Sequence, residues 1–353
     1  MTLPAVLRRF APLMAALALL VQPARLAADL VWTPEGGWKI EGGIISGLSG
    51  EESRNALDYM NKARAAEERG HYGSALRSYK KVTKKFGNSI YAPEAYYRSA
   101  YIRLARHQYV KAFQAFQEIV VRYPNTSRFN QVVGEQYRIA SAMLDGARNH
   151  SWILSPGFRN REASILMFEQ ILVNAPYSEY APLSLMSIAK AHQIFHEPED
   201  AIDALDRMIN TYPKSLLTPD AYLRLAQAYA SLVEGPNYDQ TSTKEAITYF
   251  EDFMILYPGD SGIPAAEKGL AQMKQTLAES KLRIGDYYFR YRQNYKAARV
   301  FYNEAITDYP DSSVAARART QLTKVEARLA GRQLPAEKPA NPQPPKKKHF
   351  LFF

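Results

Sequence analysis

The feature that most constrains this chain is a phrase it repeats. Tyr-Pro pairs stand at Tyr123-Pro124, Tyr212-Pro213, Tyr257-Pro258 and Tyr309-Pro310, with Ala175-Pro176 and Phe86-Gly87 in equivalent places. After several of them the chain restarts alike: SIYAPEAYYRSA from Ser89, SEYAPLSLMSIA from Ser178, SLLTPDAYLRLA from Ser215, and a shorter SGIPAAEKGLA from Ser261. Self-similarity of this kind marks a repeat array. Ahead of each proline an apolar stripe recurs at i, i+4, i+7: Ala112, Phe116, Ile119; Ala201, Leu205, Met208; Ala298, Tyr302, Ala305. That spacing predicts an α-helix with one buried face. The proline ends it by pushing its predecessor out of the αR region and withholding a donor. The Ser or Asp beyond is expected to cap the next helix.

The restarting helix has a signature of its own. Tyr96 and Ala100, Leu185 and Ala189, and Tyr222 and Ala226 follow Pro93, Pro182 and Pro219 by three and seven residues. A large residue packs, and a small one a turn later admits a neighbouring helix. Pro in a first helical turn costs no hydrogen bond. Each unit is therefore helix–turn–helix, and the unit from Pro93 to Pro124 is similar to a tetratricopeptide repeat, with Tyr96, Ala100, Ala112, Phe116 and Pro124 in register. The proline spacings of 52, 37, 45 and 52 exceed the ideal repeat of about 34 residues. Insertions at NHSWILSPGFRN (149–160) and VEGPNYDQTST (233–243) account for the surplus, and residues 265–292 hold a long helix or an irregular segment. The expectation is an all-α, right-handed superhelical solenoid of about six tetratricopeptide-like repeats, Ser53 to Tyr309, with a final helix over 312–330 and disordered N- and C-terminal extensions.

Four segments follow: a signal peptide over 1–28, an extended stretch over 29–50, the repeats over 51–330, and a Pro/Lys-rich tail over 331–353. Arg8 and Arg9 precede an apolar run from Ala11 to Val21, and QPARLAA ends in small residues, the order of a secretory leader cut after Ala28. An uncleaved anchor is the other reading, but a bilayer span needs about 20 apolar residues. In DLVWTPEGGWKIEGG, Pro-Glu-Gly-Gly between β-prone runs hints at a short hairpin.

The formal net charge of +10 belongs mostly to the ends. Three bases lie in the leader, and five stand against one acid beyond Gly331; without both segments the balance falls to +3. No basic stripe interleaved with aromatics occurs, so nucleic acid is not expected as a partner. The chain has no cysteine, which removes disulfides, thiol nucleophiles and thiolate metal sites. GxSxG, P-loop and GxGxxG patterns are missing, and the glycine pairs Gly36-Gly37 and Gly42-Gly43 precede no Lys-Ser or Lys-Thr. His192 and His196 share a helical face at i, i+4, but no Glu follows His192, and they read as an ordinary surface pair. No catalytic residue, cofactor or metal is expected. Tyr97 and Tyr101, four apart on the side facing the groove, are the candidate partner-binding residues of the repeats.

An exported array with turns such as VVRYPNTS and ITDYPDSS resembles the BamD family of outer-membrane β-barrel assembly factors. The segment LAESKLRIGDYYFRYRQNYKAARVFYNEAITDYPDSSVAARARTQL carries the resemblance best, and it extends over roughly Ser53 to Leu329. Membership implies a periplasmic lipoprotein on the inner face of the outer membrane. It also implies a BamA-like barrel and unfolded outer-membrane proteins as partners. That family carries its lipid on a cysteine, whereas here Leu26-Ala27-Ala28 is followed by Asp29. A second expectation is a CpoB-like coordinator of envelope and division, though no sustained heptad precedes the repeats. A third is a peptide-binding regulator without an assembly role. The tail ends in Lys346–Lys348 and then His349, Phe350, Leu351, Phe352, Phe353. It reads in three ways: a weak tether to an anionic membrane surface, a peptide docking on a partner through Phe350, Phe352 and Phe353, or an end without a role.

Overall fold

The structure, a computed structural model, describes residues 29–33, 36–41, 50–151 and 156–331. The expected leader and the tail beyond Gly331, with Phe350, Phe352 and Phe353, lie outside the described residues. The chain divides into two compact units, residues 1–191 and 192–353.

The first unit opens with an antiparallel hairpin, β1 (Asp29–Thr33) against β2 (Gly37–Glu41), Trp32 opposite Trp38. Helices α1 (Gly50–Glu68), α2 (Tyr72–Lys85), α3 (Tyr91–Ala105), α4 (Tyr109–Arg122) and α5 (Phe129–Leu144) follow. A two-residue ladder, β3 (Arg148–Asn149) with β4 (Phe158–Arg159), precedes α6 (Glu162–Asn174) and α7 (Tyr180–Phe195), in which the unit boundary falls. The second unit contains α8 (Pro198–Thr211), α9 (Thr218–Ser231), α10 (Thr241–Leu256), α11 (Ile263–Arg290), α12 (Tyr295–Asp308) and α13 (Ser313–Leu329). In chain order these are six helix pairs and a final single helix, the all-α repeat architecture that the sequence predicts.

Packing is local, as a repeat array requires. From α1 to α6, and again from α8 to α13, each helix packs on the next, with lesser contacts from α1 to α3, α4 to α6, α9 to α11 and α11 to α13. The three predicted stripes, Ala112–Phe116–Ile119, Ala201–Leu205–Met208 and Ala298–Tyr302–Ala305, are all buried. So are the small residues Ala100, Ala189 and Ala226. Burying a side chain such as Phe116 contributes about 1.5–3 kcal/mol. Residues 263–290 are one helix, about 42 Å long. Its first half joins a core with Phe250 and Phe253, and its second half one with Tyr302 and Val314.

The punctuation is a double turn. At Tyr123, Tyr212 and Tyr257 the backbone sits near φ −130°, ψ 55°, out of the helical region as the following proline demands. The N–H three residues on then donates to the carbonyl of the closing residue: Ser89 to Phe86, Thr126 to Tyr123, Ser178 to Ala175, Ser215 to Tyr212, Asp260 to Tyr257, Ser312 to Tyr309. A second such turn starts from Ser89, Thr126, Ser178, Ser215 and Asp260 and enters the next helix. This corrects the capping expectation. Ile90 and Leu217 occupy the N-cap positions of α3 and α9 in αR geometry with no side-chain cap, because the second turn already leads into the helix. Only Ser312 of the repeated serines acts as expected, accepting from the Ala315 N–H at 3.0 Å from an extended backbone.

Candidate docking surface

Helix α3 turns Ala92, Ala95, Ser99 and Ile102 into the core and leaves Tyr97 and Tyr101 half-buried. One helical turn apart, their rings lie 4.8 Å from each other, centroid to centroid. Both stand against buried Phe116 of α4, at 6.0 and 5.8 Å and steep angles, the edge-to-face arrangement that aromatic quadrupoles favour. Phe116 therefore holds the pair as a rigid platform.

A carboxylate from α5 completes it. The Tyr97 hydroxyl donates to that of Tyr101 (3.2 Å), which donates to Glu135 Oε1 (2.9 Å). Arg138 donates to the same oxygen at 2.8 Å, while Glu135 Oε2 is buried without a partner among the described residues. Burial, then the bonds to Tyr97 and Glu135, push the Tyr101 hydroxyl far above its ordinary pKa of 10.0. It stays a protonated donor beside the acid.

On the other side of Tyr97 lies a cavity of about 430 Å³, lined by Leu30 of β1, Pro93, Tyr97, Tyr123, Pro124 and Arg128, among others. The Arg128 guanidinium sits 4.7 Å from the Tyr97 ring centre, a cation–π distance. Glu94, buried at the start of α3, accepts from Arg128 and from Arg98 (2.8 Å). Arg98 in turn lies 5.6 Å from the ring of buried Trp38, and Arg64 lies 4.4 Å from that of Trp32. The Trp38 backbone N–H donates to Asn61 Oδ1 at 3.2 Å. The hairpin is thus pinned by its two tryptophans and supplies one cavity wall. Half-buried aromatic rings and an oriented guanidinium thus stand beside an open cavity, the mix of apolar faces and a few placed polar groups that binding surfaces share.

The sequence points to Tyr97 and Tyr101 but not to Glu94, Arg98, Arg128, Glu135 or Arg138. Glu94–Arg98 at i, i+4 and Glu135–Arg138 at i, i+3 have the spacing of solvated helix pairs, and nothing local says that both acids are buried. His192 and His196 are separated by the fold. His196 takes a left-handed backbone (φ 60°) at the end of α7, where the Glu197 N–H closes the helix onto the His192 carbonyl. His192 Nδ1 lies 2.8 Å from Glu197 Oε2 and 4.0 Å from Asp200 Oδ2. One donor atom from each of the three falls within 4.8 Å of the others, a set compatible with a divalent cation.

A family model described as an outer membrane lipoprotein, YfiO, matches residues 159–338, half of the chain. A tetratricopeptide repeat model matches residues 94–126, which include Tyr97 and Tyr101. The outer membrane protein assembly factor BamD of Caulobacter vibrioides is 25% identical over 138 residues, 39% of this chain and 45% of that protein. The Rickettsia prowazekii protein of the same name is 26% identical over 142 residues, 40% of this chain and 56% of the relative. The one from Xylella fastidiosa Temecula1 is 22% identical over 179 residues, 48% of this chain and 61% of the relative. The chain spans about half the length of the curated relatives it matches.

Proposed function

This chain belongs to the YfiO family of outer membrane lipoproteins, and from that premise we propose that it is a non-enzymatic periplasmic scaffold for the assembly and insertion of β-barrel proteins into the outer membrane. The observation that carries the reading is the family match over residues 159–338, which takes in α6 to α13. The relatives named as assembly factors support it. Its partners are a BamA-like barrel protein and unfolded outer-membrane chains, held by docking on helix surfaces. The Tyr97–Tyr101–Glu135 platform with its neighbouring cavity is one such surface. The tail with Phe350, Phe352 and Phe353 is a second contact, to a partner or to the membrane. In this reading, protein contacts and weak surface contacts hold the scaffold at the inner face of the outer membrane.

The test is cross-linked affinity capture of the full chain from envelope extracts, with partners identified by mass spectrometry, alongside its depletion. Recovery of a BamA-like barrel, and loss of β-barrel proteins from the outer membrane on depletion, is the expected result. Recovery of peptidoglycan synthases, with barrel levels unchanged, would overturn it in favour of an envelope and division coordinator.

A further inference from the structure

A second cleft, of about 750 Å³, opens on the Tyr96–Ser99–Arg103 face of α3, between α2 and α4. Five bases line it: Lys80 and Lys84 from α2, Arg103 from α3, Lys111 and Arg122 from α4. Glu118 is the one acid among them, and it is already engaged by Arg122 at 2.6 Å. Lys80, Lys84, Arg103 and Lys111 have no carboxylate partner among the described residues; Lys111 donates instead to the Ser151 carbonyl at 2.8 Å. Arg103 is half-buried, its Nε without a hydrogen-bond partner among the described residues, and the Nε of Arg106, one residue beyond the end of the same helix, is in the same state. Burial, then the charge of Arg106, pull the Arg103 guanidinium below its ordinary pKa. Five bases thus stand against one acid, already paired, and a cleft with such an excess of one sign concentrates the field on whatever enters.

We propose that this cleft is a binding site for a phosphate-bearing anion, with Arg103 at its base and Lys80, Lys84 and Lys111 around its rim. Arg103 offers a planar fork suited to phosphate oxygens, and the lysines offer point charges that adapt to a tetrahedral group. Among the described lining residues Tyr96 is the one aromatic, and its ring already contacts Tyr123, so these residues present no row of rings for stacked bases. An extended acidic peptide presents alternate side chains to opposite faces, so only every second carboxylate could reach the bases, and a polyglutamate peptide is the competing ligand in the test. Phosphate reaches such a site from an anionic lipid headgroup or from a soluble compound. Residues 80–122 lie outside the stretch matched by the lipoprotein family, so the site is a property of this chain's first unit.

The test uses the full chain, calorimetric titration with sodium pyrophosphate, and co-sedimentation with vesicles of phosphatidylethanolamine, with or without phosphatidylglycerol. Two variants are compared, Lys80→Gln/Lys84→Gln on the exposed rim and Arg103→Gln at the base, with circular dichroism as the check on folding. Pyrophosphate binding that weakens roughly tenfold or more in the rim variant, and survives Lys80→Arg/Lys84→Arg, supports the site. If binding to phosphatidylglycerol vesicles falls in parallel, the source is a lipid headgroup; if only pyrophosphate is affected, it is a soluble phosphate. The proposal is overturned by absence of pyrophosphate binding, by binding that the rim variant leaves unchanged, or by binding of a polyglutamate peptide in place of pyrophosphate. None of these outcomes depends on capture of a barrel protein, so this site and the assembly role fail separately.

Discussion

Tyrosine hydroxyls in this chain repeatedly hold an acid in place. Tyr79 donates to Glu67 at 2.7 Å, Tyr101 to Glu135 at 2.9 Å, and Tyr302 to Asp286 at 2.7 Å, with longer bonds from Tyr96 to Glu118 and Tyr249 to Asp206. Burial foremost, and then the neighbouring acid, raise the pKa of Tyr79; for Tyr101 burial is followed by the bonds to Tyr97 and Glu135. A folded-state pKa above the unfolded one favours the protonated, folded form. The stabilisation is complete below the unfolded value of 10.0 and is lost as pH rises beyond it. Melting temperature is therefore expected to fall steeply above pH 10, and Tyr79→Phe should flatten that limb; an unchanged limb would mean that these hydroxyls do not set it. Near neutral pH, Tyr101→Phe should cost about 1 kcal/mol, because the half-buried Glu135 pair loses a donor. That loss should show in urea denaturation and, with the docking surface disturbed, in weaker capture of partners.

At the scale of the elements, two different devices recur at the helix ends of the repeats. The first helix of four repeats ends on a left-handed residue, at Gly70 (φ 74°), His107 (φ 54°), Gly146 (φ 95°) or His196 (φ 60°), with a 6→1 bond such as Gln108 N–H to the Arg103 carbonyl. The second helices end in the turn described above, on Tyr-Pro in four repeats, Ala175-Pro176 in one and Phe86-Gly87 in another. Since Ser312 caps α13 and the Ser89 hydroxyl has no partner among the described residues, Ser312→Ala should cost about 1 kcal/mol. Ser89→Ala should leave the melting temperature unchanged or raise it, and equal losses at both serines would contradict this assignment of caps. Close helix approach is equally specific. A Cβ at Gly285 of α11 would lie 2.6 Å from Cε1 of fully buried Tyr302, whose ring has no room to withdraw. Overpacking of about 1–3 kcal/mol then outweighs the gain of up to about 1 kcal/mol in helix propensity. Gly285→Ala should lower stability in denaturant titration, whereas a stabilised variant would mean that α11 and α12 can part.

At the scale of the whole molecule, neighbour-only packing has a thermodynamic consequence. In an array whose helices contact chiefly their sequence neighbours, stability is a sum of local terms and need not be lost in one step. Trp32, Trp38 and Trp152, the only tryptophans, all fall within residues 1–191, so their fluorescence reports the first unit while far-ultraviolet circular dichroism reports both. Urea curves from the two probes are expected to diverge, and Gly285→Ala should shift the dichroism curve while leaving the fluorescence curve in place. Coincident curves that move together would identify a single cooperative block.

Much of this was legible in the sequence because it is encoded over short stretches. The stripe at i, i+4, i+7, the proline that expels its predecessor from the helix, and the small residue a turn after a large one each act within one or two turns. They therefore give the six helix pairs, the turns that end them and the final helix. The pairing of Tyr97 with Tyr101 is likewise one turn of one helix. Other features were decided only in three dimensions. Glu135 reaches Tyr101 across 34 residues of chain, and Glu94 meets Arg128 across the same separation. The five bases of the second cleft come from three helices, each of which carries an unremarked share of a nearly neutral total. A helix's own period says which face is apolar, but which charges on the remaining faces lose water, and which gather unpaired, depends on the helix that comes to lie beside it.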